Sequence, residues 1–289
     1  MHNILVTGGT GQLGRAIMAE AQNNNKCYYA PSREVLDICD TANVERYISE
    51  HNTSLVINCA AYTDVEGAER DEQGAYLVNS EAVAALADVC HRHNIRLIHI
   101  STDYVFGGDT ERDTPYGTDD TTAPINCYGR SKADGERHIL QYDEHIIIRT
   151  SWLYSPWGKN FCRTILRLAA EQPTLRVVND QHGTPTSALS LARFIVVMIA
   201  TNGIDKMSGI YHMTDGGECT WYDFAQEIVR LGGIDCHIEP CTSAERATLA
   251  QRPNYSVLDN SRTEAIYPQA IRGWQEALVE CIDHIKNEV

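Results

Sequence analysis

Asn3-Ile-Leu-Val-Thr-Gly-Gly-Thr-Gly-Gln-Leu-Gly14 decides the fold. Its first five residues read as a short buried strand. Glycines at 8, 11 and 14 then form a turn, and a helix opens near Gln12. The spacing is Gly-x-x-Gly-x-x-Gly, placed directly between a strand and a helix. In that context Gly8 permits the tight turn and Gly11 lets a pyrophosphate approach the backbone. Gly14 lets the helix pack on the sheet, with the helix N-terminus facing the anion.

Outward from this stretch the chain alternates. Strands are expected at residues 26–30, 55–58, 97–101 and 145–149, and helices at 41–51, 80–93 and 128–140. Continuous apolar strands separated by helices predict an α/β fold, a Rossmann-like doubly wound parallel sheet with its ligand at the carboxyl ends of the strands. Beyond it lie an apolar helix at 187–200, a short strand at 209–213 that could return to the sheet, and helices at 221–231 and 275–286. Two domains are expected: residues 1–150 with about 187–213, and a smaller C-terminal α/β substrate domain of 151–186 and 214–289. Residues 107–126 are polar and rich in Gly, Asp, Thr and Pro. A structureless loop that long reads as a lid, or else as a solvated insertion.

The 289 residues are 43% hydrophobic and 22% charged, which excludes wholesale disorder, collagen and a small disulfide scaffold. Lys and Arg number 24 against 39 Asp and Glu, a net charge of −15 with no basic run. That balance argues against nucleic acid and anionic membrane surfaces as partners. The start is strand-like, without a secretory pattern, and the longest strongly apolar run (194–200) is far short of a membrane span. A cytoplasmic protein with reduced thiols is expected. The ten cysteines contain no Cys-x-x-Cys, and no metal is expected.

Three further stretches carry chemistry. After the second strand the chain reads Ala30-Pro-Ser-Arg33, with no acid before Glu34. Ser32 and Arg33 suit a ribose 2′-phosphate, so NADPH is favoured with NADH as the alternative. Asp37 and Ile38 could flank the adenine. Tyr128-Gly-Arg-Ser-Lys132 places a phenol and an ammonium on one helix face. The ammonium is expected to lower the phenol's pKa toward the range of efficient proton transfer. Ser101-Thr-Asp-Tyr-Val-Phe106 ends the fourth strand, where the site should lie. Thr102 could bond a substrate carbonyl. Asp103 could accept from a sugar hydroxyl, donate if protonated, or merely cap a loop.

These elements, with Asn58-Cys-Ala-Ala61, identify the extended short-chain dehydrogenase/reductase superfamily. Arg149-Thr-Ser-Trp-Leu-Tyr154, Asn160-Phe161, Asn179-Asp-Gln-His-Gly-Thr-Pro-Thr186, Thr220-Trp-Tyr-Asp223 and Arg252-Pro253 add a finer resemblance, over nearly the whole chain, to the dTDP-4-dehydrorhamnose reductases. The resemblance implies an enzyme reducing the 4-keto group of a dTDP-6-deoxyhexulose. It implies cofactor contacts at Gly8, Thr10, Gly11, Gln12, Leu13, Ala60, Ala61 and Thr63. Tyr128 becomes the proton donor to the C4 oxygen, Lys132 its partner, and Thr102 and Asp103 substrate contacts. Trp152 is implied in the substrate pocket and Tyr104 beside Tyr128, and Arg252 would suit the diphosphate. Trp221 is equally suited to packing or base stacking. Some members are dimers bridged by magnesium through an acid just after the third glycine. Arg15 and Ala16 stand there, which argues against a magnesium-bridged dimer while leaving a homodimer open.

Competing readings are weaker or close siblings. A 4,6-dehydratase needs Thr-Asp-Glu, and here Tyr104 replaces the base. A reductase of another NDP-4-keto-6-deoxysugar fits the same residues. A non-catalytic regulatory subunit, like that of methionine adenosyltransferase, would not need Thr102, Tyr128 and Lys132 together.

Overall fold

The computed structural model describes residues 3–22, 25–246 and 248–287; the outer ends of the expected domains, 1–2 and 288–289, lie outside the described residues. The first half runs β1 (Asn3–Thr7), α1 (Gln12–Ala21), β2 (Cys27–Tyr29), α2 (Thr41–Glu50), β3 (Thr53–Asn58), α3 (Val65–Ala68), α4 (Glu72–Tyr76), α5 (Ala82–Arg92), β4 (Arg96–Thr102), α6 (Cys127–Ile139) and β5 (Ile146–Thr150). The second half runs β6 (Leu153–Tyr154), α7 (Phe161–Glu171), β7 (Thr174–Val178), β8 (His182–Gly183), β9 (Thr186–Ser187), α8 (Ala188–Ala200), β10 (Gly209–His212), β11 (Cys219–Thr220), α9 (Trp221–Gly232), β12 (His237–Cys241), α10 (Ser261–Ile266) and α11 (Trp274–Asn287).

One sheet of six parallel strands, ordered β10-β5-β4-β3-β1-β2, forms the frame, and β10 does return to it beside β5. Alternate residues of a strand feed opposite faces. Ile4, Val6, Ile57, Ile146 and Ile148 pack under α1 and α8, while Leu5, Val56, Leu97 and Ile147 pack under α2 and α5. Both faces are therefore buried, which explains why these strands read as unbroken apolar runs. The chain reverses direction across the sheet between β1 and β3, so the crevice at their carboxyl ends is the switch point where a ligand belongs.

A second core gathers Tyr154 of β6 with Cys162, Ile165, Phe224, Ile228, Trp274 and Leu278 from α7, α9 and α11, over the small parallel pair β7 and β12. The sequence reading passed over α7, β7 and β12. Its signal was present: Asn160 Oδ1 accepts from Arg163 N at 3.0 Å, and Cys162, Ile165 and Ala169 follow at helical spacing. The helix expected at 80–93 is longer, running through a π-helical turn at Leu77–Glu81 that continues α4 into α5.

Residues 107–126 are tied down rather than free. Gly108 N donates to Ala123 O at 2.8 Å, and Tyr116 N donates to Val257 O at 2.8 Å. Tyr116 is buried and stacks on Phe106 at 4.2 Å. Gly107, Thr110 and Ile125 of this strap face the cleft described next. Among the described residues no helix is long and apolar enough to cross a membrane.

Candidate active site

A cleft of about 1870 Å³ runs from the carboxyl ends of β1 and β3 to the face of the second core. A single drug-sized ligand takes roughly 300–1,000 Å³, so this cleft has room for two nucleotides. It is lined by Gly8, Thr10, Gly11, Gln12, Leu13, Arg33, Asp37, Ile38, Ala60, Ala61, Thr63, Thr102, Asp103, Tyr104, Tyr128, Lys132, Trp152 and Arg252, whereas Ser32, named beside Arg33 for the 2′-phosphate, is not part of the lining.

The dinucleotide end is built by backbone. Gly8 has φ +64°, and a Cβ there would meet Ala60 N at 2.7 Å. A Cβ at Gly14 would meet Gly8 O at 2.5 Å, so only glycine lets α1 sit this close to the turn. Helices α2, α6, α7, α8 and α9 are capped by the side chains of Asp40, Asn126, Asn160, Ser187 and Thr220. Helix α1 begins at Gly11 with no side-chain cap, leaving its first-turn N–H groups for an anion. The uncapped helix, the glycine cradle and the cleft together fit a dinucleotide pyrophosphate. Arg33 stands at the rim with its side chain 74% exposed, and its Nε donates to Asp37 Oδ2 at 3.0 Å. Asp37, expected beside the adenine, thus orients the guanidinium instead of leaving it bare. Gln12 reaches across the cleft, its Oε1 accepting from Ser155 Oγ and Asn160 Nδ2, each at 3.0 Å. The sequence showed Asn160 only as part of a motif and did not show Ser155, because the contacts of both with Gln12 span about 145 residues.

The reacting end is set by α6. Asn126 caps it, Oδ1 accepting from Gly129 N at 2.7 Å while Nδ2 donates to Gln251 O at 2.7 Å. Tyr128 and Lys132 follow on one face. Lys132 is buried, and its Nζ lies 2.7 Å from Ile100 O and 3.0 Å from His99 Nε2. Burial brings it down to about 8. The expected lowering of Tyr128 by Lys132 is not found: burial pushes the phenol up to about 12, opposed in part by a hydrogen bond with Thr102. Lys132 spends its contacts on His99 and Ile100 instead. A phenol held protonated remains a competent proton donor, the role that reduction requires.

Asp103 is buried, with Oδ1 accepting from Thr102 Oγ1 at 3.0 Å and Oδ2 from Ser256 Oγ at 2.6 Å. Burial raises it to about 7. It therefore fixes the Thr102 hydroxyl beside Tyr128 more directly than it faces the cleft. Tyr104 meets the Tyr128 ring edge-on at 5.8 Å, and burial drives its phenol above the usual range. Arg252 pairs with Glu66 at 3.5 Å, while its buried Nε has no hydrogen-bond partner. Trp152, with φ +46°, stacks on Trp221 at 3.5 Å and 8°. Trp221 is packed in this way and also faces the cleft. Gly183 makes room for the pair, since a Cβ there would meet Trp152 Cε2 at 2.4 Å. Arg176 and Arg246, which the sequence did not single out, line the same wall. Among the described residues no group of three His, Cys, Asp or Glu side chains could hold a metal ion.

An uncapped Gly-rich helix start, a buried Tyr-x-x-x-Lys pair and a second nucleotide-sized wall define a Rossmann-fold oxidoreductase of the extended short-chain dehydrogenase/reductase type. The family model described as RmlD substrate binding domain matches residues 1–287, and the chain belongs to that family. A dTDP-4-dehydrorhamnose reductase of Streptomyces griseus is 41% identical, covering 96% of this chain and 91% of its own. A dTDP-4-keto-6-deoxy-D-glucose reductase of Streptomyces niveus is 40% identical, covering 96% and 95%. The crystal structure of the dTDP-4-dehydrorhamnose reductase of Bacillus anthracis in complex with NADP superposes with a TM-score of 0.90 at 32% identity, over 98% of this chain and 99% of that one.

Proposed function

We propose that this chain is an NADPH-dependent reductase of the 4-keto group of dTDP-4-dehydro-6-deoxy-L-mannose, forming dTDP-L-rhamnose. The observation that carries the reading is the single cleft joining the Gly-rich turn, Tyr128 and the Trp152 wall. Bound NADPH supplies the hydride. The chain's residues do the rest. The α1 N-terminus and Gly8 to Leu13 hold the pyrophosphate, and Arg33 meets the 2′-phosphate. Tyr128 gives its proton to the C4 oxygen as negative charge develops there. Asp103, when protonated, donates to Thr102 and so frees the Thr102 hydroxyl proton for the same oxygen, where water is excluded. Lys132, as the ammonium, offsets the phenolate left on Tyr128. Arg252, with its unpartnered Nε, suits the substrate diphosphate.

We read the chain as a cofactor unit (1–150 with about 187–213) and a substrate unit (151–186 and 214–289), supported by the two separate cores. Arg15 and Ala16 stand just after the third glycine, where a bridging acid would be needed, so we read a homodimer, where one forms, as lacking a magnesium bridge. The acidic balance supports an enzyme with no nucleic-acid partner, and the unpaired cysteines support a cytoplasmic one. The convergence of Thr102, Tyr128 and Lys132 favours an enzyme over a regulatory subunit.

The test is nicotinamide absorbance with dTDP-6-deoxy-4-hexulose epimerised in situ, with NADPH and NADH in separate reactions. NADPH oxidation with dTDP-L-rhamnose identified by NMR is the expected result. A different 6-deoxysugar, as the Streptomyces niveus relative's name suggests, moves the substrate to a sibling. No oxidation despite cofactor binding overturns the reading.

A further inference from the structure

Behind Lys132 lies a buried hydrogen-bond chain that the mechanism above leaves unused. Lys132 Nζ is 3.0 Å from His99 Nε2, and His99 Nδ1 is 3.0 Å from Asn58 Nδ2. Asn58 Oδ1 accepts from Thr7 Oγ1 at 2.6 Å and from Ala60 N at 3.3 Å. Thr7, Asn58, His99 and Lys132 are all buried. The chain has a direction. A backbone N–H only donates, so Ala60 fixes which side of the Asn58 amide is oxygen. The amide nitrogen therefore donates to His99 Nδ1. A neutral imidazole accepting at Nδ1 carries its proton at Nε2, and that proton faces Lys132 Nζ.

We infer that His99 is a positioning residue which, oriented by Asn58, donates from Nε2 to Lys132 and favours its free amine over its ammonium. In the amine form Lys132 donates to Ile100 O and keeps its lone pair on His99. Taking up one proton at Nζ breaks the His99 bond and leaves an ammonium that Ile100 O and the cleft must satisfy. The inference rests on Lys132 serving Tyr128 as proposed above.

The surroundings agree. Burial and the nearby Lys132 hold His99 well below its usual range. The groups facing Lys132 are Tyr128 one turn back, Cys59 past β3, and Glu136 one turn on. Glu136 is engaged by Arg149, whose Nη2 donates to its Oε2 at 2.7 Å. Asp103 lies beyond Tyr128, which it influences electrostatically. Burial raises the Cys59 thiol to about 12, which keeps it from supplying a counter-charge.

Two readouts test this. The first is ¹⁵N NMR of the histidine rings without substrate, with the His99 signals assigned by their loss in His99→Gln. The expected pattern is a neutral ring protonated at Nε2; protonation at Nδ1, or an imidazolium, overturns the inference. This readout needs no turnover, so it stands even where the reductase reading fails. The second is the alkaline limb of kcat/KM. Removing a donor that favours the amine raises the Lys132 pKa, so His99→Leu moves the limb up by about one pH unit, the worth of one hydrogen bond. His99→Gln, which can turn its carbonyl to the ammonium, also moves it up. If the ammonium instead donates to Nε2, His99→Leu moves the limb down and His99→Gln leaves it in place. Either of those results contradicts the inference.

Discussion

At the residue scale, the cofactor choice rests on Arg33. Its guanidinium is exposed and held by Asp37, so its gain to a 2′-phosphate is that of a screened, charge-assisted contact. Arg33→Ala is expected to weaken NADPH about tenfold and NADH less than twofold, in fluorescence titrations of the free enzyme. Equal weakening would show that Arg33 does not read the phosphate. The Gly-rich turn, Tyr128 and Lys132 were legible because their spacing is local, within a turn or along one helix face. The pKa of Tyr128 was not. It depends on burial and on what Lys132 touches, and the partners that decide it, His99 and Ile100, lie about 30 residues away on β4.

At the scale of elements, α6 is positioned by the π-helical turn beneath it. Buried Asn79 in that turn accepts from Tyr62 N at 2.9 Å and donates to Ser131 Oγ at 3.0 Å. Gly135 is what lets α6 approach, since a Cβ there would meet Asn79 O at 2.2 Å. Gly135→Ala is expected to cost about 1–3 kcal/mol in urea unfolding, as overpacking against backbone does. It should also lower kcat, because α6 carries Tyr128 and Lys132; unchanged stability would refute this packing. The strands were legible from unbroken apolar runs. The π turn was not, because its extra residue leaves the apolar spacing helical. The second core was legible in part. Helix α7 had a cap and a stripe, but β7, a partly exposed strand beside β12, had no apolar run to mark it.

At the scale of the molecule, burial makes folding depend on pH. His212 is brought down to about 3 by burial and Arg149, and His99 and His145 are also lowered by burial. Each takes up a proton near pH 6.5 once unfolded but not while folded. The unfolded state therefore binds more protons below that pH, and stability falls as acid is added, for His212 over the window from about 6.5 to 3. Asp103, raised to about 7, and Asp215, raised to about 6, both by burial, act in the opposite sense between their unfolded values and those figures. The three histidines outnumber the two carboxyls, so Tm should be lower at about pH 4.5 than at pH 7. His212→Gln should narrow that gap, and a gap of unchanged size would assign the acid loss elsewhere. The architecture as a whole converges on one phenol between a dinucleotide cradle and a sugar-nucleotide wall. The most direct test is kcat of Tyr128→Phe with its NADPH Kd measured alongside. The account predicts a loss of roughly 10²–10⁴-fold in kcat, the worth of a positioned proton donor, with Kd within about twofold of the parent. Turnover close to that of the parent enzyme would contradict it.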